Sequence, residues 1–84
     1  MKYYLYIVSC SDNTLYTGIC TDILRRIDEH NNSNKGAKYT RTRRPVRLVY
    51  TEMYESRSIA SKREYFIKKK MTRRMKLALI DSED

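Results

Sequence analysis

The chain of 84 residues is long enough for one small domain with a modest core, which excludes a two-domain enzyme. Its 18 basic and 10 acidic side chains give a net charge of +8, which favours a polyanionic partner such as nucleic acid. The two cysteines are too few for a disulfide scaffold, so we expect a reduced, cytoplasmic protein. We expect no signal peptide and no membrane-spanning segment, and therefore no membrane partner.

The first half of the chain predicts a β-hairpin followed by a helix. Residues 3–8 (YYLYIV) and 15–20 (LYTGIC) are aromatic and β-branched, which is typical of strands. The Asp and Asn between them favour a turn. Gly18 inside the second strand indicates a bulge or a close approach of another group to the backbone. A helix capped by Thr21 or Asp22 is expected next.

The second half predicts a basic loop, a third strand and two helices. Residues 31–45 contain Asn, Ser, Gly and Pro and are expected to form the loop. Residues 46–53 (VRLVYTEM) alternate in the manner of a strand. Two helices follow, one capped by Ser56 or Ser58 and one over residues 71–80. The order β-β-α-β-α-α indicates an α/β (α+β) fold, with helices packed on a three-stranded sheet.

The first helix has two polar side chains on its apolar side. At about 100° per residue, Ile23, Arg26, Ile27 and His30 form one stripe, whereas Arg25 points almost the opposite way. Burying a guanidinium without a partner is costly, so Arg26 must reach an acid, a phosphate or water. Arg26 is therefore either functional or extended past the core to solvent. His30 is either a site residue or a helix-end histidine stabilised by the helix dipole.

The long helix has an acid on its apolar stripe. Ala60, Glu64 and Ile67 share one side, and Glu64 is the only acid between residues 56 and 80. It either pairs with Lys68 at i+4 or acts as a hard oxygen ligand. In the second case it would hold one Mg²⁺, with water and phosphate oxygens completing the coordination.

Tyrosines are concentrated in the hairpin. The chain has eight tyrosines, and Tyr3, Tyr4, Tyr6 and Tyr16 belong to the two predicted strands. Tyrosines commonly fill the cores of small sheets, and Tyr3 and Tyr4 are expected to have this structural role. A phenol also works as an acid–base group when cations lower its pKa from about 10. We expect Arg26 and a metal to have that effect.

The predicted loop forms a basic surface. It carries several cations and no acid, and its tyrosine is placed to stack on a base. A second basic run covers residues 62–76. Charge runs are usually solvated, but two in so short a chain favour a polyanion-binding surface. The candidate substrate-binding residues of the loop are Lys38, Tyr39, Arg41, Arg43 and Arg44.

Taken in order, these residues resemble the GIY-YIG nuclease superfamily, and most of all its small stand-alone bacterial branch. YLY at residues 4–6 stands in the place of GIY, and YTG at residues 16–18 in the place of YIG. Arg26 follows eight residues after the glycine, His30 follows four residues later, and Glu64 lies on a later helix. The ordered set is far more specific than either triplet alone.

The resemblance covers about residues 3–80 and implies one GIY-YIG-like domain over residues 1–84. It implies a three-stranded antiparallel sheet flanked by helices. It also implies hydrolysis of DNA phosphodiester bonds with one divalent metal, Mg²⁺ or Mn²⁺. By position, the catalytic residues are Tyr6, Tyr16, Arg26 and His30, the metal ligand is Glu64, and Gly18 is the motif glycine that lets substrate or metal approach the strand.

The resemblance also implies a division of roles. Glu64 fixes the metal at the scissile phosphate, and Arg26 neutralises the charge that develops there. A tyrosinate activates the attacking water. We expect Tyr6 to be this base and Tyr16 to position it, or the two roles to be exchanged, while His30 relays a proton.

The sequence departs from the family pattern in two ways. Many members carry an asparagine after the glutamate helix, whereas this chain has none beyond Asn34. We expect no DNA-targeting domain, in which case specificity would come from the basic loop, from DNA shape or from a targeting protein partner.

Three functions follow as hypotheses. The first is a metal-dependent DNA endonuclease of structure-selective or low sequence specificity in DNA repair or recombination, with RNA left open as a substrate. The second is a nucleic-acid-binding module with a vestigial nuclease site. The third is a protein–protein adaptor that uses the same basic surface.

The hairpin provides a geometric check. Tyr6 and Tyr16 must share one face of the sheet if they serve one site. A two-residue turn at Asp12-Asn13 would pair Tyr6 with Ile19 and place the two phenols on opposite faces. The site hypothesis therefore predicts an odd-length loop or a bulge in the hairpin.

Overall fold

Three strands form one antiparallel sheet in the computed structural model, which describes residues 1–82. They are β1 (Tyr3–Ser9), β2 (Leu15–Cys20) and β3 (Arg47–Tyr54), in the spatial order β2-β1-β3. Both pairings are antiparallel, as predicted. The central strand is the one with the longest buried run, because both of its faces are covered.

Four helices flank the sheet: α1 (Ile23–Asn32), α2 (Lys38–Arg41), α3 (Arg57–Lys70) and α4 (Arg73–Asp81). The short α2 was not predicted and lies inside the expected loop. No side chain caps its N-terminus, so local sequence alone gives little signal for it. None of the helices within the described part of the chain is long and apolar enough to cross a membrane.

Side-chain caps fix where the three longer helices begin. The carboxylate of Asp22 accepts from the backbone N–H of Arg25 at 3.1 Å, which selects Asp22 over Thr21 as the cap. The hydroxyl of Ser56 caps α3, and that of Thr72 caps α4. These bonds satisfy helix N–H groups that have no partner inside the helix.

Each face of the sheet has its own core. On one face, α3 and α4 cover the side chains of Leu5 and Ile7, which are fully buried together with Ile67 of α3. On the other face, Tyr6 and Val8 pack against side chains from α1 and the segment before β3. The alternation along β1 thus sends Tyr6 to the face covered by α1.

The hairpin register places both motif tyrosines on that face. Tyr6 pairs with Gly18, and Val8 pairs with Tyr16. Ser9 pairs with Leu15, which leaves residues 10–14 as the loop, an odd-numbered connection in which Asn13 has a positive φ of 68°. The predicted odd-length loop is therefore confirmed, since directly paired residues point to the same face.

A polar cluster fastens α3 to β3. The Glu52 carboxylate accepts from the Tyr50 hydroxyl at 2.5 Å and from the Tyr54 hydroxyl at 2.6 Å. Arg63 of α3 donates to the same carboxylate from Nε and Nη2, each at 3.0 Å. This cluster fixes the rotation of α3 and so the side of the helix on which Glu64 lies.

Candidate active site

A buried hydrogen-bond chain joins β1, α1 and α2. The Tyr6 hydroxyl lies 2.6 Å from Nε2 of His30, and Nδ1 of His30 lies 2.9 Å from the Thr40 hydroxyl. The Thr40 hydroxyl donates in turn to the Ala37 carbonyl at 2.9 Å. Tyr6 is 1% exposed, and His30 and Thr40 are fully buried. Three side chains far apart in sequence thus form one continuous polar path.

The direction of the hydrogens follows from counting donors. The Thr40 hydroxyl has one hydrogen and gives it to Ala37, so it accepts from Nδ1–H of His30. Nε2 then has a free lone pair and accepts from the Tyr6 hydroxyl. The Ala37 N–H lies 3.3 Å from Nδ1, a longer contact that would instead require Nδ1 to accept. The two shorter bonds assign the hydrogen of the neutral ring to Nδ1.

Burial controls the protonation of this pair. Burial, together with the charge of Arg26, lowers the pKa of His30 from 6.5 to about 4, so its imidazole is neutral near pH 7. Burial also raises the pKa of the Tyr6 phenol, and the neighbouring Arg26 opposes this only in part. Arg26 thus lowers the pKa of Tyr6, as expected, but desolvation of the phenolate outweighs the attraction of one guanidinium, and the net direction is upward.

Arg26 is held at the edge of this cluster. Its Nη1 donates to Glu29 Oε1 at 2.9 Å and to the Lys35 carbonyl at 2.9 Å. The side chain is 27% exposed, whereas that of Arg25 is 64% exposed. The helical stripe thus placed Arg26 correctly on the core side and Arg25 on the solvent side.

Gly18 makes room for the Tyr6 ring. A Cβ at Gly18 would lie 2.5 Å from the Tyr6 hydroxyl oxygen and 2.7 Å from Cζ. The predicted close approach is therefore confirmed. The expectation that substrate or metal enters this space is corrected, because the phenol of the paired residue already fills it.

Tyr16 lies at the junction of three elements. Its ring contacts His30 edge-on at 5.5 Å and stacks on Tyr39 at 5.8 Å between centroids. The ammonium of Lys68, on α3, lies 5.1 Å from the centre of the Tyr16 ring. Within residues 1–82 the Tyr16 hydroxyl makes no hydrogen bond to protein. Unlike that of Tyr6, its hydroxyl is open to a water or a substrate oxygen.

Glu64 reaches the same neighbourhood through a shared cation. The Lys68 ammonium lies 3.3 Å from Glu64 Oε2, so one ammonium contacts both this carboxylate and the Tyr16 ring. Glu64 therefore lies on the flank of α3 that faces β2. The expected i,i+4 ion pair is present. Within the described chain, no group of three His, Cys, Asp or Glu side chains could hold a metal.

A single carboxylate is still chemically compatible with a hard cation. Mg²⁺ keeps several waters and is commonly held by one or two carboxylates together with substrate phosphates. Glu64 offers one such group at 24% side-chain exposure. The donor set thus fits an ion that is completed by substrate, and does not fit an all-protein cage.

Comparison with known proteins places this site in a family. The family model described as "GIY-YIG catalytic domain" matches residues 2–78. The chain belongs to the GIY-YIG family.

Two curated relatives extend this result. A UPF0213 protein from Staphylococcus haemolyticus is 56% identical over 80 residues, covering 95% of each chain. Another from Desulfotalea psychrophila is 67% identical over 66 residues, which are 79% of this chain and 60% of that relative. The chain therefore spans less than two thirds of that second relative.

Two solved structures share the fold. A solution NMR structure of a UPF0213 protein from Bacillus halodurans is 46% identical, with a TM-score of 0.63 over 99% of this chain and 86% of that one. A solution NMR structure of a protein from E. faecalis is 43% identical, with a TM-score of 0.67 over 98% and 85% of the two chains. Both solved structures thus share the fold over almost the whole of this chain.

The fold explains the spacing of the GIY-YIG triplets. Residues 4–6 lie on the central strand and residues 16–18 on its edge neighbour, and Tyr6 pairs directly with Gly18. The glycine of one triplet accommodates the last tyrosine of the other. The two motifs therefore form one packing unit.

The predicted basic loop is only partly free to bind substrate. Lys38 and Arg41 are exposed. Arg43 pairs with Asp12 at 3.0 Å and lies 3.9 Å above the Tyr39 ring, so a base would have to displace it in order to stack on that side of the ring. Tyr39 is also stacked on Tyr16, as described above.

Arg44 is used inside the protein. Its Nε donates to the His30 carbonyl at 2.6 Å, and its Nη2 donates to the Ser33 carbonyl. It therefore caps the C-terminal end of α1, which is a structural role and not the substrate contact that we expected.

Two contributors to the site were missed in the sequence. Thr40 holds the His30 ring, and Gly36 allows α2 to approach α1, because a Cβ there would lie 2.7 Å from the Glu29 carbonyl oxygen. Gly36 gave a weak signal, because glycine is common in any loop and its spacing does not reveal a close approach. Thr40 offered none, because its role depends on a tertiary contact.

Proposed function

We propose that this protein is a metal-dependent DNA endonuclease of structure-selective or low sequence specificity that acts in DNA repair or recombination. Membership of the GIY-YIG family supports nuclease chemistry. The net charge of +8 supports a nucleic-acid substrate. The single observation that carries the proposal is the 2.6 Å contact between the Tyr6 hydroxyl and Nε2 of His30.

That contact provides a route for a proton. Tyr6 loses its hydroxyl proton to the neutral imidazole of His30, and the phenolate then accepts a proton from the attacking water. The Thr40 hydroxyl holds the imidazole in the tautomer that this step needs. Burial disfavours both the phenolate and the imidazolium, and the charge of Arg26 offsets only the cost of the phenolate, so the transfer is uphill in the free protein.

The exposure of the two side chains favours Tyr16, and not Tyr6, as the phenol that activates the water. Tyr6 is 1% exposed, whereas Tyr16 is only half-buried. In the exchanged form Tyr16 contacts the water, and the Tyr6–His30 pair positions its ring. Comparing phenylalanine variants of the two tyrosines separates these assignments.

Arg26 and Glu64 deal with charge at the phosphate. The Arg26 guanidinium stabilises negative charge that develops on the phosphate oxygens. Glu64 is the residue that would hold Mg²⁺ or Mn²⁺, and such an ion supplies Lewis-acid stabilisation of the same phosphate. For that, the Lys68 ammonium must give up its contact with the Glu64 carboxylate.

Cleavage assays test the proposal. Purified protein is incubated with nicked, branched, single-stranded and plain duplex DNA in Mg²⁺ or Mn²⁺, beside the Glu64→Gln and Arg26→Gln variants. We expect metal-dependent cleavage by the wild type, and a loss of about 100-fold or more in each variant. Cleavage that survives both substitutions would come from a contaminant and would overturn the proposal.

The second candidate is a nucleic-acid-binding module with a vestigial nuclease site. It is favoured by the lack of any asparagine beyond Asn34 and by the occupied Glu64 carboxylate. Steeply salt-dependent DNA binding without cleavage would support it. Binding of a protein partner that does not change with salt would point instead to an adaptor.

A further inference from the structure

An arginine-lined cleft opens at one end of the edge strand β2. Its volume is about 290 Å³, close to the lower end of the range for small-ligand pockets, about 300–1,000 Å³. Helix α1 contributes Arg25, Arg26 and Glu29 to its wall, and α3 contributes Arg57. Thr21, just before α1, adds a hydroxyl. Apart from Arg26, none of these residues belongs to the site proposed above.

The cleft has more positive charge than its single carboxylate can balance. Glu29 is bound to Arg26 at 2.9 Å and lies 4.0 Å from Arg25. Arg57 forms no ion pair within residues 1–82. Three guanidiniums therefore face one carboxylate, and an anion that enters the cleft would gain two largely uncompensated donors.

The cleft shares Arg26 with the candidate active site. Arg57 and Glu64 are seven residues apart on α3, so they lie on nearly the same flank of that helix, about 10 Å apart along its axis. Arg26 belongs both to the cleft and to the Tyr6 neighbourhood. A strand of DNA with one phosphate at Arg26 and Glu64 would thus bring a nearby phosphate of the same strand to the cleft.

We propose that this cleft binds a backbone phosphate next to the scissile one, held by the guanidiniums of Arg25 and Arg57. The inference rests on the proposed function and adds a contact that fixes the register of the cut strand. Arginine suits this role because its planar donors match two phosphate oxygens at once. Arg25 and Arg57 are thus binding residues, with no part in the chemistry.

The test measures DNA binding without metal, so that it does not depend on cleavage. Oligonucleotides carry one neutral methylphosphonate at each successive position around the cleavage site or, if none is cut, along the bound strand. Affinity is measured by fluorescence anisotropy for the wild type and for the double variant Arg25→Gln/Arg57→Gln. A matched double variant, Arg47→Gln/Arg73→Gln, removes the same charge from exposed positions on β3 and α4. Thermal unfolding checks that all three proteins fold equally well.

We expect one methylphosphonate position to weaken wild-type binding about tenfold, and the same position to be neutral in the Arg25/Arg57 variant. That variant should also lose about 0.9 from its salt slope on duplex DNA, the value for one phosphate contact. The control variant should keep the sensitive position. If both variants respond alike at every position, the cleft contributes only general charge and the inference is overturned.

The outcomes separate this inference from the proposed function. If the wild type binds DNA with one cleft-dependent position but does not cut it, the phosphate-binding inference is supported and the nuclease proposal is overturned. If the wild type cuts DNA but shows no cleft-dependent position, the nuclease proposal is supported and the phosphate-binding inference is overturned. Absence of any DNA binding overturns both.

Discussion

The Tyr6 hydroxyl lies 2.6 Å from Nε2 of His30, in a part of the molecule where both side chains are almost fully covered. The bond joins the central strand to α1 and links two of the proposed catalytic residues. Burying two polar groups is tolerated because each satisfies the other. The same bond serves both the stability of the fold and the proposed chemistry, so its effects on the two should be separable.

His30 should make stability depend on pH. Its pKa is about 4 in the folded protein, against an ordinary value of 6.5. Above pH 6.5 the imidazole is neutral in both the folded and the unfolded chain, so the lowered pKa does not affect the free energy of unfolding there. As the pH falls from 6.5 towards 4, the unfolded chain binds the proton first. The free energy of unfolding should then fall by on the order of 3 kcal/mol.

Urea denaturation at several pH values measures this dependence. His30→Gln lacks the titrating group, and its unfolding free energy should change less with pH over the same window. Carboxylates contribute similarly in both proteins, so the difference between the two curves isolates His30. Parallel curves would show that the imidazole is not held neutral by burial.

Phenylalanine at the two motif tyrosines should have unequal effects on stability. Tyr6→Phe leaves Nε2 of His30 buried without a donor, at a cost of about 1–3 kcal/mol. Tyr16→Phe removes a hydroxyl that makes no hydrogen bond within residues 1–82, and should change stability by about 0.5 kcal/mol or less. Chemical denaturation gives both numbers.

Single-turnover cleavage at a fixed DNA concentration then distinguishes the two roles. The variant that lacks the general base should lose about 10²–10⁴-fold in rate. The positioning variant should lose less, and its rate should keep the wild-type pH profile. Equal rates for both variants and the wild type would remove the tyrosines from the chemistry.

The sequence predicted the parts of the site that depend on local periodicity. Helical spacing places Arg26 on the core side of α1, whereas the odd-length loop that brings Tyr6 and Tyr16 to one face was predicted from the site hypothesis and not from the turn residues. Contacts between distant segments were not predictable in this way. Thr40 reaches His30 through an unpredicted helix, and the Arg44 guanidinium turns inward to α1, because long flexible side chains have many partners within reach.

Alanine at Gly18 should disturb the Tyr6 ring. The added methyl group would lie 2.5 Å from the phenol oxygen, so the ring must shift and weaken its bond to His30. We expect destabilisation of about 1–3 kcal/mol, measured by denaturation. The same change in a Tyr6→Phe background should cost less, because the nearest atom is gone. Strictly additive costs would show that the two residues do not interact.

Lys68 should weaken the binding of divalent cations to the free protein. Its ammonium occupies the Glu64 carboxylate at 3.3 Å. Replacing it with methionine removes the competing charge, and Mn²⁺ affinity without DNA should rise about two- to fivefold, as expected from the size of exposed ion pairs. Titration monitored by electron paramagnetic resonance measures this. Lys69→Met, at the adjacent exposed position, is the control, and an equal gain there would mean that only net charge matters.

A crystal structure of the protein with DNA and Mn²⁺, with the ion located by its anomalous signal, tests the central claim most directly. The account predicts the ion within about 2.0–2.6 Å of a Glu64 oxygen, the range for hard cations on oxygen ligands. It also predicts that the ion contacts a phosphate oxygen of the strand that Arg26 binds, beside the two phenols. A DNA backbone bound away from β2, or a saturating ion that avoids Glu64, would contradict it.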